Sequence, residues 1–268
     1  MRFLAHDGQA RPISLVRHGE HVADQGIPPD GVVIFPDQPA GSHRYEVWLP
    51  QNAPAKIIGV LVDDPQAVTA PVALRRRWIT YGSSITHCKE ASAPALTWPA
   101  RVALRHQVDH TCLGYGGQCH LDPLVARVIG SQPADAISFK VGINIQGNGS
   151  LNLRTFRPSL IAFVRLIREA HPDVPLAVIS PIFAPVRENA LNHVDLNLTI
   201  MREHNAAACD ILQAHGDTHL RYLDSHALLG PEDRDRLPDF LHPDTVGYGM
   251  MAERFSTHLG EFLFGEQP

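Results

Sequence analysis

The four cysteines of this 268-residue chain, Cys88, Cys112, Cys119 and Cys209, form no C-x-x-C pair. In a chain of this size these cysteines are expected to be reduced thiols in a cytoplasmic protein. The 16 histidines include no H-E-x-x-H and no Cys/His zinc spacing, and neither a metal nor an organic cofactor is expected. No apolar run approaches the length of a membrane span, and Met1–Asp7 lacks the apolar segment of a signal peptide. The net charge of −5 is spread without a basic stripe, which argues against a nucleic-acid partner. Internal repeats and low-complexity tracts are also missing.

What is present begins at Trp78, where apolar strand patterns alternate with helical ones. Strands are predicted over Arg77–Tyr81, Val108–Leu113, Ala136–Val141, Leu176–Ser180 and Arg221–Asp224. Helices are predicted over Trp98–His106, Asp122–Ser131, Pro158–Ala170, Leu196–His215 and Thr245–Phe264. Leu160, Ile161, Phe163, Val164, Leu166 and Ile167 give the third helix an apolar face broad enough to lie on a sheet. This alternation predicts an α/β domain over 75–268, a flavodoxin-like parallel sheet of five strands with helices on both faces. Residues 1–70 differ: short alternating runs at Pro12–Val16, Gly31–Phe35, His43–Leu49 and Lys56–Val62 are separated by turn residues. They predict a small antiparallel β module, joined through a Pro- and Ala-rich linker at Asp64–Leu74 and packed on the larger domain, because so few short strands make a poor core alone.

Ligands of such sheets bind beyond the carboxyl ends of the strands. Ser84 follows the first predicted strand, Gly117 the second and Asn144 the third, and Asp239-Phe240-Leu241-His242-Pro243 lies beyond the fifth. A serine hydroxyl attacks a carbonyl only when a base takes its proton and a carboxylate orients that base. Asp239 and His242 are the one Asp-x-x-His in the chain, spaced so that both fit on one turn. Taken singly, each feature has an ordinary reading: Gly82-Ser83-Ser84 as a strand-to-helix turn with serine caps, Gly116-Gly117 as a tight turn, Asn144 as a loop cap. Their convergence on one sheet edge favours a common site. His87, three residues after Ser84, is a rival base without a clear carboxylate orienter, and Cys119 lacks a base that would make it a nucleophile.

From Trp78 to Phe264 the pattern resembles the SGNH, or GDSL, hydrolase superfamily. The resemblance rests on Gly82-Ser83-Ser84, on Gly117 within Leu113-Gly114-Tyr115-Gly116-Gly117, on Gly142-Ile143-Asn144 and on Asp239-x-x-His242 followed by Pro243. Ser83 and Ile145 stand where the family often has aspartate. The resemblance implies Ser84 as nucleophile, His242 as base and Asp239 as its orienter, with an oxyanion hole made by the amides of Ser84 and Gly117 and the side chain of Asn144. The whole chain resembles those members that carry an N-terminal β-sandwich, among them carbohydrate esterases and an acyltransferase of antibiotic tailoring.

The expected function is a serine esterase that cleaves a small acyl ester through an acyl-Ser84 intermediate, a sugar being one candidate alcohol. Acyl transfer to another alcohol by the same site is the alternative. A sugar-binding protein with an inactive hydrolase fold is the second. Tyr115, Gly116, His120 and Arg154 are the candidates for lining the substrate pocket. The expected partner is a small-molecule acyl ester, with self-association of the chain left open.

Overall fold

Five short strands set the layering of the C-terminal unit. In this computed structural model, which describes residues 2–5, 12–59, 69 and 75–265, they pair in parallel. The strands are β6 (Arg77–Gly82), β7 (Asp109–Gly114), β8 (Ala136–Lys140), β9 (Leu176–Ile179) and β10 (Leu220–Leu223). Their order is β10-β9-β8-β6-β7, so the first strand of this sheet lies inside the second, as in flavodoxin-like sheets. Every residue of β8 and β9 is buried, as expected where helices cover both faces.

One face of the sheet packs Ile79, Tyr81, Phe139 and Val178 against α3 (Pro123–Ser131), α5 (Phe156–Arg168) and α6 (Leu198–Ala214). The other packs Trp78, Ala136 and Ile179 against α2 (Trp98–His106) and α7 (Thr245–Phe264). Trp78 pins that second layer, with its ring 6.0 Å from Trp98, 5.4 Å from Phe255 and 5.5 Å from Phe264. Truncating so enclosed an indole to alanine costs about 3–5 kcal/mol in comparable cores. The starts of these helices are set by side chains: Thr97 accepts from Ala100 N, Asn197 from Ile200 N and Asp244 from Gly247 N.

The predicted helices at Trp98–His106 and Thr245–Phe264 appear over those residues. α5 begins two residues before Pro158, because a proline in the first turn removes only an N–H that has no helical partner. Two short helices were not anticipated: α1 (Ser84–His87) and α4 (Ile143–Asn148).

The N-terminal strands are β1 (Arg2–Ala5), β2 (Pro12–Arg17), β3 (Glu20–Gly26), β4 (Tyr45–Trp48) and β5 (Ala55–Gly59). β3-β2-β4 form an antiparallel sheet, and β1 pairs with β5 in a second one. The strand expected at Gly31–Phe35 is reduced to a single bridge at Val32; Val33 instead fills a small core with Ile13 and Ile27. Residues 60–62 of the fourth predicted strand lie outside the described residues, as does the proposed linker apart from Thr69. Trp48 packs on the α2/α7 layer, Arg75 reaches Glu46 at 2.6 Å, and Ala95 N donates to Ser14 Oγ at 3.3 Å. These contacts seat the three-stranded sheet on the α/β unit.

Candidate active site

β6 ends at Gly82, and the chain turns directly into α1, whose first residue is Ser84. Ser83 Oγ accepts from Ile85 N at 3.3 Å and caps the turn, while Cys88 closes α1 in the left-handed conformation. Gly114, at the end of β7, permits this packing: a Cβ there would overlap the backbone nitrogen of His87.

The C-terminal loop between Leu237 and α7 brings the other two groups. Asp239 Oδ1 accepts from the backbone amides of His242 at 2.6 Å and Leu241 at 3.0 Å, with Phe240 in the left-handed region at φ 62°. The loop thus wraps around its own carboxylate. The second oxygen, Oδ2, meets His242 Nδ1 at 2.6 Å. A carboxylate can only accept, so Nδ1 carries the hydrogen and Nε2 presents its lone pair. Nε2 lies 2.8 Å from Ser84 Oγ, which donates to it. Burial alone would raise the Asp239 carboxyl, but bonds from the His242 ring and the two loop amides outweigh it and hold the group below the ordinary 3.8.

Across from this line, Gly117 sits at φ 74° in the loop after β7, and nothing lies within 4 Å of where its Cβ would be. Glycine is needed there for the backbone angle. Asn144 comes from the first turn of α4, and its Oδ1 accepts from Cys119 N at 3.1 Å. An amide N–H only donates, so this bond fixes the orientation of the side chain and leaves its NH₂ as the free end.

The four proposed lining residues differ in placement. Gly116 is exposed beside Ser84, and a Cβ there would lie 3.8 Å from Ser84 Cβ. Tyr115 packs on the α3/α5 layer, its ring 6.0 Å from that of Tyr81. The His120 ring is engaged within the loops, with Nε2 on Gly117 O at 3.1 Å and Nδ1 on Ser150 Oγ at 2.8 Å. Arg154 is exposed on the loop after α4.

All four cysteines are free. Burial pushes the Cys119 thiol up to about 12, which leaves it protonated and unreactive. Among the described residues, no three His, Cys, Asp or Glu side chains come together as a metal-binding group, and no helix is long and apolar enough to cross a membrane.

Two features escaped the sequence reading. His87 does not hang free: its Nε2 bonds to the backbone carbonyl of Gln51, in the loop after β4. Lys140 ends β8 beside Gly82, only 1% exposed, and its Nζ has no hydrogen-bond partner among the described residues. Burial lowers its pKa to about 8, against the opposing influence of the nearby thiols of Cys119 and Cys88. A lysine closing a mostly apolar strand, Ala136-Ile137-Ser138-Phe139-Lys140, was the available signal.

Comparison with solved structures supplies the context. A salicylyl-acyltransferase from a tetracycline biosynthetic pathway is similar over 97% of this chain and 78% of its own, with 26% identity and a TM-score of 0.83. A family two carbohydrate esterase from Clostridium thermocellum, an active-site mutant solved in complex with a cello-oligosaccharide, shares the fold over 96% of this chain and 88% of its own, with 13% identity and a TM-score of 0.71. A member of the lipolytic G-D-S-L family from Veillonella parvula matches over 98% of its length but 69% of this one, at 17% identity and a TM-score of 0.53. No curated protein matches the sequence significantly. The profile of the GDSL-like lipase/acylhydrolase family matches residues 75–260, a span that contains Ser84, Gly117, Asn144, Asp239 and His242, and the chain belongs to that family.

Proposed function

We propose that this protein is a serine acylhydrolase that removes a small acyl group from an alcohol oxygen through an acyl-Ser84 intermediate. The observation that carries this reading is the unbroken line from Asp239 Oδ2 to His242 Nδ1 at 2.6 Å and from His242 Nε2 to Ser84 Oγ at 2.8 Å. In the first half-reaction Ser84 Oγ attacks the ester carbonyl while His242 Nε2 takes its proton. The resulting oxyanion is placed toward the amides of Ser84 and Gly117 and the NH₂ of Asn144, donors of the kind that are each worth about 3–4 kcal/mol in a transition state. Collapse expels the alcohol, which His242 protonates. Water then attacks the acyl-enzyme by the reverse sequence and releases the acid.

Transfer of the acyl group to a second alcohol differs only in what attacks the acyl-enzyme. The likeness to a salicylyl-acyltransferase along nearly the whole chain supports this as the second reading. One experiment addresses both. p-Nitrophenyl acetate should give a burst of one nitrophenolate per chain, a fluorophosphonate should label Ser84, and Ser84→Ala should lose both. Added alcohols that divert acetate into a new ester would indicate transfer; free acetate at every alcohol concentration would indicate hydrolysis. Labelling elsewhere, or turnover by the alanine variant, would overturn the proposal.

A further inference from the structure

His87 is the last residue of the one-turn helix that Ser84 opens, and the mechanism above does not use it. Its Nε2 bonds to the backbone carbonyl of Gln51. A carbonyl oxygen can only accept, so Nε2 carries the hydrogen, and in the neutral ring Nδ1 is left with a bare lone pair. Nδ1 has no hydrogen-bond partner among the described residues. Gly116 locates it: a Cβ built on that glycine would lie 3.8 Å from Ser84 Cβ and 4.0 Å from His87 Nδ1. The nucleophile and this lone pair therefore border the same exposed stretch of backbone, one residue before Gly117.

The Gln51 carbonyl is held by more than this one bond. The Gln51 side chain donates through Nε2 to the carbonyls of Cys88 and Ala91, both at 3.1 Å, and Asn52 Nδ2 donates to Lys89 O at 3.0 Å. The loop after β4 thus grips the chain immediately beyond His87 and sets which ring nitrogen faces the site. This is the same arrangement by which a metal-binding or catalytic histidine has its tautomer set through its second nitrogen.

We infer that His87 Nδ1 is a fixed hydrogen-bond acceptor for a hydroxyl next to the scissile ester, which makes His87 a specificity residue for monoesters of diols and polyols. The inference rests on the acylhydrolase reading and adds to it the class of alcohol. No proton is transferred in this role; the substrate hydroxyl donates to Nδ1 and is held while Ser84 attacks the neighbouring carbonyl.

The test compares 2-hydroxyethyl acetate with 2-methoxyethyl acetate, whose neighbouring oxygen cannot donate. The wild-type protein should favour the hydroxy ester in kcat/KM by about tenfold, the upper range for one neutral hydrogen bond. His87→Gln places an amide near Nε2, keeps a donor for the Gln51 carbonyl and removes the acceptor at Nδ1; its preference should fall to about one. His87→Asn places an amide near Nδ1 and should restore part of the preference, which a merely structural role for the ring would not produce. A His87→Gln protein that retains the tenfold preference overturns the inference, as does a wild type that cleaves both esters equally well. A wild type that cleaves neither ester, nor p-nitrophenyl acetate, strikes the acylhydrolase reading itself and this inference with it.

Discussion

Lys140 offers a stability prediction that can be worked through from the structure. Its side chain is 1% exposed, and Nζ finds no acceptor among the described residues. Burial moves its pKa from the ordinary 10.5 to about 8, so the folded chain holds this proton more weakly than the unfolded chain does. At about 1.4 kcal/mol for each tenfold change in proton affinity, the charged amine destabilises the fold by up to about 3 kcal/mol. Below pH 8 both states are protonated and the fold bears this full cost. Between pH 8 and 10.5 the folded chain gives up the proton while the unfolded chain keeps it, so stability rises with pH through that window. Lys140→Met keeps an unbranched side chain of similar length and removes the charge, a replacement that is often stabilising for buried ions. Thermal unfolding followed by circular dichroism at pH 7 should show the variant melting roughly 6–10 °C higher. The gap should narrow steadily when the pair is compared at pH 8, 9 and 10. A variant that melts lower at pH 7, or a gap that is the same at every pH, would refute the reasoning and mean that the ammonium is well solvated inside the fold.

Three further outcomes follow from the site and its surroundings. On the proposed mechanism Asn144→Ala should lower kcat by roughly 10²–10³ with KM little changed, because the amide would bond charge that exists only in the transition state; steady-state kinetics in which KM rises while kcat holds would make it a binding residue. Asp239→Asn should cost up to about 10⁴ in kcat, and because the wild-type carboxyl is held below 3.8 it stays ionised in mild acid, so the acid limb of log kcat/KM should have a slope of one rather than two. Buried Asp233 bonds both nitrogens of the Arg254 fork, and although burial pulls its carboxyl upward those bonds hold it below 3.8; the stability it adds is present above that value and lost as pH falls through the lower folded one. Asp233→Asn should therefore lower stability by about 1–3 kcal/mol at pH 7 in urea unfolding, with the difference shrinking toward pH 3.

The fold was legible where burial imposes a period. The apolar stretches of β6, β8 and β9 and the faces of α2, α5 and α7 each repeat often enough to mark an element. Period fails on short elements. α1 has four residues and α4 six, too few for a helical face to show, yet they carry Ser84 and Asn144. β3 fails for a different reason: Glu20-His21-Val22-Ala23-Asp24-Gln25-Gly26 is an edge strand in which every residue but Ala23 is exposed, so no buried face imposes an alternation. Gly31–Phe35 shows the opposite error. It is apolar because Val33 plugs the small core of the module, without a neighbouring strand to pair along its length.

The site shows the same division by physical cause. Ser84, Gly117 and Asn144 could be placed together because a parallel sheet delivers the ends of its strands to one edge, whatever the loops do. Asp239 and His242 could be paired because three residues of spacing and a left-handed Phe240 are enough to fold a carboxylate back on the next imidazole. The grip of Gln51 on His87 has no such rule behind it. It joins a backbone carbonyl, which every residue has, to a ring 36 residues away at the end of α1. Neither composition nor spacing records where a carbonyl points, so the sequence could only offer His87 as a competing base. In the structure its Nε2 is committed to Gln51, its Nδ1 faces Gly116, and no carboxylate bonds it among the described residues, whereas His242 has both a carboxylate and the serine. The two histidines differ in what holds the second nitrogen: one ring is turned by a carboxylate, which stabilises a positive imidazole, the other by a neutral carbonyl, which fixes its orientation.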